Sequence, residues 1–234
     1  MYRARALVMP DRAQKAGDRM IACEDLWKSY PAGHTRKFVL QGINLTINRG
    51  ERVALLGRNG AGKSTLIKQI GGVEVPDRGK VTRKMSVSWP IGFNGGFQGS
   101  LTGLDNARFI SRIYGSSYSE MRDFVEDFTE LGSSLSMPVK TYSSGMRARL
   151  AFALSLGIEF DCYLIDEVIL VGDHNFQRKC HHELFEKRAD RAMVIVSHDM
   201  ETVRNVCNRA SVIHEGKAIP FEDVHEATKY YEEL

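Results

Sequence analysis

Long apolar runs are missing from this 234-residue sequence: V-I-L-V at 168–171 and M-V-I-V at 193–196 are typical of its longest. Both fall far short of the ~20 residues that cross a bilayer as a helix, so the chain is not expected to span a membrane by itself. Cysteine is sparse too. Cys23, Cys162, Cys180 and Cys207 are scattered with no C-x-x-C pair, a usage that fits a reducing, cytoplasmic compartment better than a disulfide framework. Charge of one sign is not in large excess either. A net charge of +3 implies neither a nucleic-acid footprint nor a polybasic membrane anchor. The run Cys180-His181-His182 lacks a second ligand pair, and neighbouring residues diverge on a helix, so it reads as polar helix surface rather than a metal site.

What is present is an ordinary globular balance, 43% apolar and 26% charged, enough for one large domain with its own core. Residues 1–20 carry Arg3, Arg5, Arg12, Lys15 and Arg19 without a continuous apolar core; they read as a mobile basic tail and not as a secretory signal. The domain is expected over 21–234. Residues 21–47 read as short strands with a turn at Tyr30-Pro31-Ala32-Gly33. Then R-V-A-L-L at 52–56 forms an apolar strand, followed by a glycine-rich turn and a helix from Lys63 to about Ile70. Another strand is expected at 85–89, and 90–103, with Pro90 and five glycines, reads as a loop. Helical periodicity, as in Ala107, Ile110, Ile113 and Tyr114, marks a helical insertion at about 104–157. Two apolar strands follow, 162–165 and 193–196, each ending in polar residues where an α/β sheet displays its active edge. Residues 222–234 read as a charged terminal helix.

Four stretches carry chemistry. G-R-N-G-A-G-K-S-T at 57–65 matches G-x-x-x-x-G-K-[ST] with a strand before it and a helix after, the context that marks a phosphate-binding loop. Gly57, Asn59, Gly60, Ala61 and Gly62 turn successive backbone N–H groups toward phosphate oxygens, Lys63 reaches the β/γ phosphates, and Ser64 and Thr65 open the helix, Ser64 as a ligand of Mg²⁺. The strand at 162–165 ends in Asp166-Glu167: Asp166 is placed to hold Mg²⁺ or its water, and Glu167 to polarise the attacking water. On the next strand, V-S-H-D at 196–199 sets His198 at the same edge, within reach of a γ-phosphate. A further anion cradle, T-Y-S-S-G-M-R at 141–147, opens a helix with hydroxyls, free N–H groups and a positive dipole end.

In this order the motifs resemble the ABC transporter ATPases, from about Ile21 to Gly216. The resemblance implies an α/β fold: a P-loop ABC ATPase core with a mostly parallel sheet, an antiparallel β subdomain and an inserted α-helical subdomain. By the same resemblance, 57–65 is the Walker A motif, Asp166 and Glu167 are Walker B and the catalytic glutamate, Asp173 is the D-loop aspartate, His198 the switch histidine and Tyr30 the aromatic that stacks on adenine. Ser143, Ser144 and Gly145 correspond to the L-S-G-G-Q signature, with Tyr142, Ser144 and Met146 in place of its leucine, first glycine and glutamine; Val168 replaces a frequent proline. Gln98 is the glutamine available for the Q-loop and its Mg²⁺ role, though it lies closer to Thr102 than the family usually has it. ATP and Mg²⁺ are the implied cofactors. One phosphate loop and one signature per chain imply a head-to-tail pair of identical copies, each signature closing on the partner's nucleotide.

The wording S-W-P-I-G-F-N-G-G-F-Q-G-S-L-T-G at 88–103, Y-S-S-G-M at 142–146 and D-E-V-I-L-V-G-D at 166–173 is most similar to the ATP-binding subunits of capsular polysaccharide exporters. That resemblance implies a membrane permease as partner and a peripheral position on the cytoplasmic face of the inner membrane. The chain is shorter than O-antigen exporter subunits that carry a carbohydrate-binding domain. Soluble ABC ATPases of translation or repair, and exporters of O-antigen or teichoic acid, are the alternatives; a P-loop kinase or GTPase leaves the helix at 144 without a job. Trp89, Ile91, Phe93, Phe97 and Leu101, set among glycines, are expected to form part of the socket for a permease helix.

Overall fold

The structure is a computed structural model that describes residues 20–91, 98–166 and 173–234. Its centre is a six-stranded sheet in the order β5-β6-β7-β3-β8-β9. The strands are β3 (Arg52–Leu56), β5 (Val87–Ile91), β6 (Cys162–Asp166), β7 (Ala192–Val196), β8 (Arg209–His214) and β9 (Lys217–Phe221). All neighbours pair in parallel except β8 with β9. Central parallel strands are covered on both faces, and this is why β3, β6 and β7 read as unbroken apolar runs.

Successive side chains of a strand point to opposite faces, and the core divides accordingly. Ala54, Leu56, Tyr163, Ile165, Met193 and Ile195 belong to one buried cluster; Val53, Leu55, Cys162, Leu164, Val194 and Val196 belong to the other. The second cluster is closed by Leu66, Ile67 and Ile70 of α1 (Lys63–Ile70) and by Ile21, Leu26, Leu40 and Ile43. These last come from an antiparallel sheet of order β2-β1-β4, built from β1 (Met20–Ala32), β2 (Thr35–Asn48) and β4 (Arg78–Arg83).

The first cluster is closed by helices. α2 (Gly103–Tyr114), α3 (Tyr118–Thr129) and α4 (Ser144–Leu156) form the helical region. α5 (His174–His181), α6 (Met200–Val206) and α7 (Val224–Glu232) complete the layer. Each helix of the first group starts on a hydroxyl that accepts from the third residue on: Thr102 from Asp105 N, Ser117 from Glu120 N and Ser143 from Met146 N. Such caps satisfy N–H groups that the helix itself leaves open.

Several expectations are corrected here. Pro90 lies within β5, not a loop: β5 is an edge strand, the position where a residue without an N–H is tolerated. Trp89 packs against Tyr114 and Phe160, with centroids 5.4 and 5.7 Å away, and Ile91 is fully buried, so these two serve the core and not a socket. Phe93 and Phe97 lie outside the described residues, as do most of the basic tail and Glu167. Ile113 shares the helical period of Ala107 and Ile110 but is 56% exposed, whereas those two are buried. Cys180 is buried while His181 and His182 face solvent, so the C-H-H run is not uniformly helix surface. All four thiols are free and buried, and burial pushes those of Cys23, Cys180 and Cys207 up to about 12. No helix among the described residues is long and apolar enough to cross a membrane.

Candidate nucleotide site

Because β3, β7 and β6 run parallel, their carboxyl ends meet at one edge of the sheet, the edge where open α/β sheets bind ligands. The loop at 57–61 leaves β3 there. Gly57 has φ +149°, and a Cβ on it would lie 2.4 Å from the Ile213 carbonyl oxygen. Gly62 caps α1 with φ +108°, and its Cβ would meet Leu40 and Val39 at 2.8 and 3.0 Å. At both positions only glycine fits without displacement. Lys63 is buried and folds back on its own loop, donating from Nζ to the Gly57 carbonyl at 2.6 Å and the Arg58 carbonyl at 3.2 Å. An anionic ligand with several oxygens can replace those carbonyls as the partner of the ammonium.

Ser64, in the first turn of α1, donates from Oγ to Asp166 Oδ1 at 3.3 Å, across 102 residues of sequence. A hydroxyl and a carboxylate brought together beside a phosphate loop are the hard oxygen donors that suit Mg²⁺. Gln98 is held at the entry to α2: its backbone N donates to Asn106 Oδ1 at 2.8 Å and its carbonyl accepts from Asn106 Nδ2 at 3.1 Å. β6 pairs with β7 so that Asp166 faces Val196; His198, two residues past that pair and exposed, therefore stands at the same edge.

Tyr30 approaches from the antiparallel sheet. Its hydroxyl donates to Glu74 Oε1 at 2.6 Å and lies 3.4 Å from Thr65 Oγ1. Burial first, and then the hydrogen bond to Glu74, raise the phenol above its ordinary range. Tyr30 is 36% exposed, and an aromatic ring at the surface can stack on a planar ligand.

The second cradle is a separate surface. Ser143 is the N-cap of α4 and its Oγ accepts from Met146 N at 3.2 Å, so the hydroxyl proton remains to be given outward. At Gly145 a Cβ would find only Ser143 Oγ, at 4.0 Å. Among the described residues no hydrogen bond or ion pair joins Ser143, Ser144 or Gly145 to the phosphate loop. Tyr142 is buried and donates to the Ser134 carbonyl at 2.7 Å, which accounts for a large side chain in place of leucine. Asp173 caps α5 by accepting from Phe176 N at 3.0 Å, and that N–H holds its carboxyl below the usual range. It also pairs with Arg149 Nη2 at 2.6 Å. Arg149, on α4, further donates to the Thr129 carbonyl and lies over the Phe176 ring. Neither Arg149 nor Glu74 was singled out from sequence; both act through partners 24 and 44 residues away, and no local pattern announces such pairs.

An α/β cassette with a phosphate loop, an acidic strand end beside it and a helix-borne hydroxyl cradle of its own defines the class of ABC ATPases, and the comparisons agree. The ABC transporter family matches residues 40–169. Over 92% of its length the chain is 53% identical to the whole of the capsule polysaccharide export ATP-binding protein CtrD of Neisseria meningitidis serogroup B. It is 52% identical to the ATP-binding protein BexA of Haemophilus influenzae, over 92% of this chain and 99% of that one. With the polysialic acid transport ATP-binding protein KpsT of Escherichia coli it shares 44% identity over 91% of this chain and 98% of that one. A solved ATP-binding subunit of an ABC transporter superposes with TM-score 0.76 at 24% identity, covering 90% of this chain and 93% of that one. The dimeric, ADP- and Pi-bound cassette MJ0796 does so with TM-score 0.72 at 20% identity, covering 86% and 98%. The chain belongs to the ABC transporter family; it is an ATPase that binds ATP and hydrolyses it to drive transport.

Proposed function

We propose that this chain is the ATP-hydrolysing subunit of an exporter of capsular polysaccharide, working as a head-to-tail pair of identical copies on the cytoplasmic face of the inner membrane beneath a permease. The observation that carries the hydrolytic part is the Ser64–Asp166 contact at 3.3 Å, which joins the phosphate loop to the acidic strand end. The cargo reading is supported by 53% and 44% identity, over nearly the full length, to relatives named for capsule polysaccharide export and for polysialic acid transport; relatives named for teichoic acids export stand lower, at 35% and 38% identity.

In this reading the N–H groups of the loop at 57–62 and the Lys63 ammonium hold the β and γ phosphates, and Tyr30 stacks on the base. Ser64 and Asp166 hold Mg²⁺, which, when bound, offsets charge on the phosphate oxygens. Glu167 accepts a proton from the attacking water. His198 donates to the γ-phosphate, helping to hold it in line with that water. Ser143, Ser144 and Gly145 close on the γ-phosphate held by the partner copy, and Asp173 stands beside that junction, tied to the same helix by Arg149. The nucleotide is therefore sealed only when two copies meet, so hydrolysis and the movement passed to the permease share one event.

The permease contact is assigned to α2. Phe109 and Ile113 lie one turn apart, 51% and 56% exposed, and Leu101 before the helix is 37% exposed. Phe109 and Ile113 both lie at the surface and outside the buried clusters, so with Phe109→Asp and Ile113→Asp stability should stay within about 0.5 kcal/mol of wild type and the isolated chain should hydrolyse ATP normally. Loss of an interface anchor weakens a contact by about ten-fold or more, so polysaccharide should remain inside cells carrying the double variant. Normal surface polysaccharide, measured by antibody on intact cells, would contradict the assignment.

A further inference from the structure

A tyrosine near the end of a hairpin strand has several staggered positions open to its ring, and a base-stacking surface is useful only in one of them. We propose that Glu74 is a positioning residue for nucleotide binding, fixing the Tyr30 ring relative to the phosphate loop so that one face is presented to the base. The inference rests on the reading of Tyr30 as the stacking residue and adds what aims it.

Three contacts converge on the ring. Its hydroxyl donates to Glu74 Oε1 at 2.6 Å and sits 3.4 Å from Thr65 Oγ1. The Lys28 ammonium lies over the ring, 5.6 Å from the centroid, and Tyr30 keeps 36% of its surface exposed for a ligand. Lys28 is itself held by Glu74 Oε1 at 3.1 Å, by the Val75 carbonyl at 2.8 Å and by Asp77 Oδ1 at 3.4 Å. One carboxylate thus fixes both the phenol and the cation that lies over its ring.

Glu74 has a fixed place of its own. The turn that ends α1 is closed by Gly71 N and Gly72 N on the Ile67 and Gln69 carbonyls, and by Val73 N and Glu74 N on the Lys68 carbonyl, at 2.9 and 3.2 Å for the last two. The helix whose first turn carries Lys63, Ser64 and Thr65 therefore carries Glu74 at its other end. Base platform and phosphate cradle are referred to the same rigid element, so less freedom is lost when a nucleotide bridges them. Arg36, which donates to Ser29 Oγ at 2.8 Å, and Asp77, which accepts from that same hydroxyl at 2.7 Å, brace the strand beneath the ring.

The test titrates the full chain with ADP and with inorganic pyrophosphate by calorimetry. Tyr30→Ala should weaken ADP and leave pyrophosphate unchanged. Glu74→Ala and Tyr30→Phe should each weaken ADP about 3- to 10-fold, the cost of ordering one side chain on binding, again without change for pyrophosphate. The double variant Tyr30→Phe/Glu74→Ala should weaken ADP by clearly less than the product of the two single effects, since both remove the same hydrogen bond. Glu74→Gln, whose amide oxygen still accepts, should stay within about two-fold of wild type. If Tyr30→Ala binds ADP normally, the stacking reading falls and this inference with it. If Tyr30→Ala weakens ADP while Tyr30→Phe and Glu74→Ala do not, Tyr30 stacks but Glu74 does not position it. If Glu74→Ala weakens pyrophosphate as much as ADP, Glu74 serves the fold of α1, and the inference is overturned.

Discussion

Glu167→Gln is expected to lower ATP hydrolysis by about 10²- to 10⁴-fold, the range over which a positioned general base contributes, while ATP remains bound. The substitution keeps size and removes the charge that, in the proposed role, accepts a proton from water. It leaves untouched the Lys63 contacts and the Ser64–Asp166 pair at 3.3 Å, so affinity for ATP should change little. On the proposed reading, in which the phosphate loop of one copy and the signature of the other grip each triphosphate, bound ATP that cannot be cleaved should then hold two copies together. Phosphate release at saturating ATP, with mass measured by light scattering with and without ATP, checks both halves. Hydrolysis within a few-fold of wild type would remove Glu167 from its role.

The second large effect separates action within one copy from action across two. Gly145→Glu places an acid in the first turn of α4, where a new Cβ meets nothing closer than 4.0 Å. A carboxylate near a helix N-terminus is favourable to the helix, so the variant should fold at least as well as wild type. Toward a γ-phosphate held by the other copy the same charge is repulsive. ATP affinity of the single chain should be near normal and turnover should collapse. Mixing with Lys63→Ala, which is defective in its phosphate loop but has an intact signature, should restore one working site in each mixed pair. With random pairing that is about one quarter of wild-type turnover per chain. If Gly145→Glu loses ATP binding as a monomer and mixing restores nothing, the signature works within its own chain.

Legibility in the sequence followed the range of the interactions. The helix from Lys63 to Ile70 was readable because a glycine turn and an apolar strand precede it, and the start of α4 because Ser143 is a cap by chemistry. The phosphate loop, the acidic strand end and the order of motifs are written within short windows. β4, β8 and β9 were not recognised: β9 is an edge strand with no continuous apolar run, and R-A-S-V-I-H of β8 is interrupted by Ser211, whose Oγ donates to the Ile219 carbonyl. Glycines around 92–99 suggested a loop extending back to Pro90, but pairing of Pro90 with Leu164 and Ile91 with Ile165 decides the matter by tertiary contact. Ile113 obeys a helical period yet faces out, because periodicity reports spacing and not which neighbour covers a face. Glu74 and Arg149 were beyond reach for a related reason: their partners are brought by the fold.

The central claim is that hydrolysis by this chain drives polysaccharide out of the cell, and the most direct measurement compares surface with intracellular polymer in cells whose only copy of the chain carries Lys63→Ala. The account predicts polymer synthesised in normal amount and retained inside, with the wild-type chain restoring the surface layer. Polymer reaching the surface at the wild-type level in the Lys63→Ala cells would contradict it.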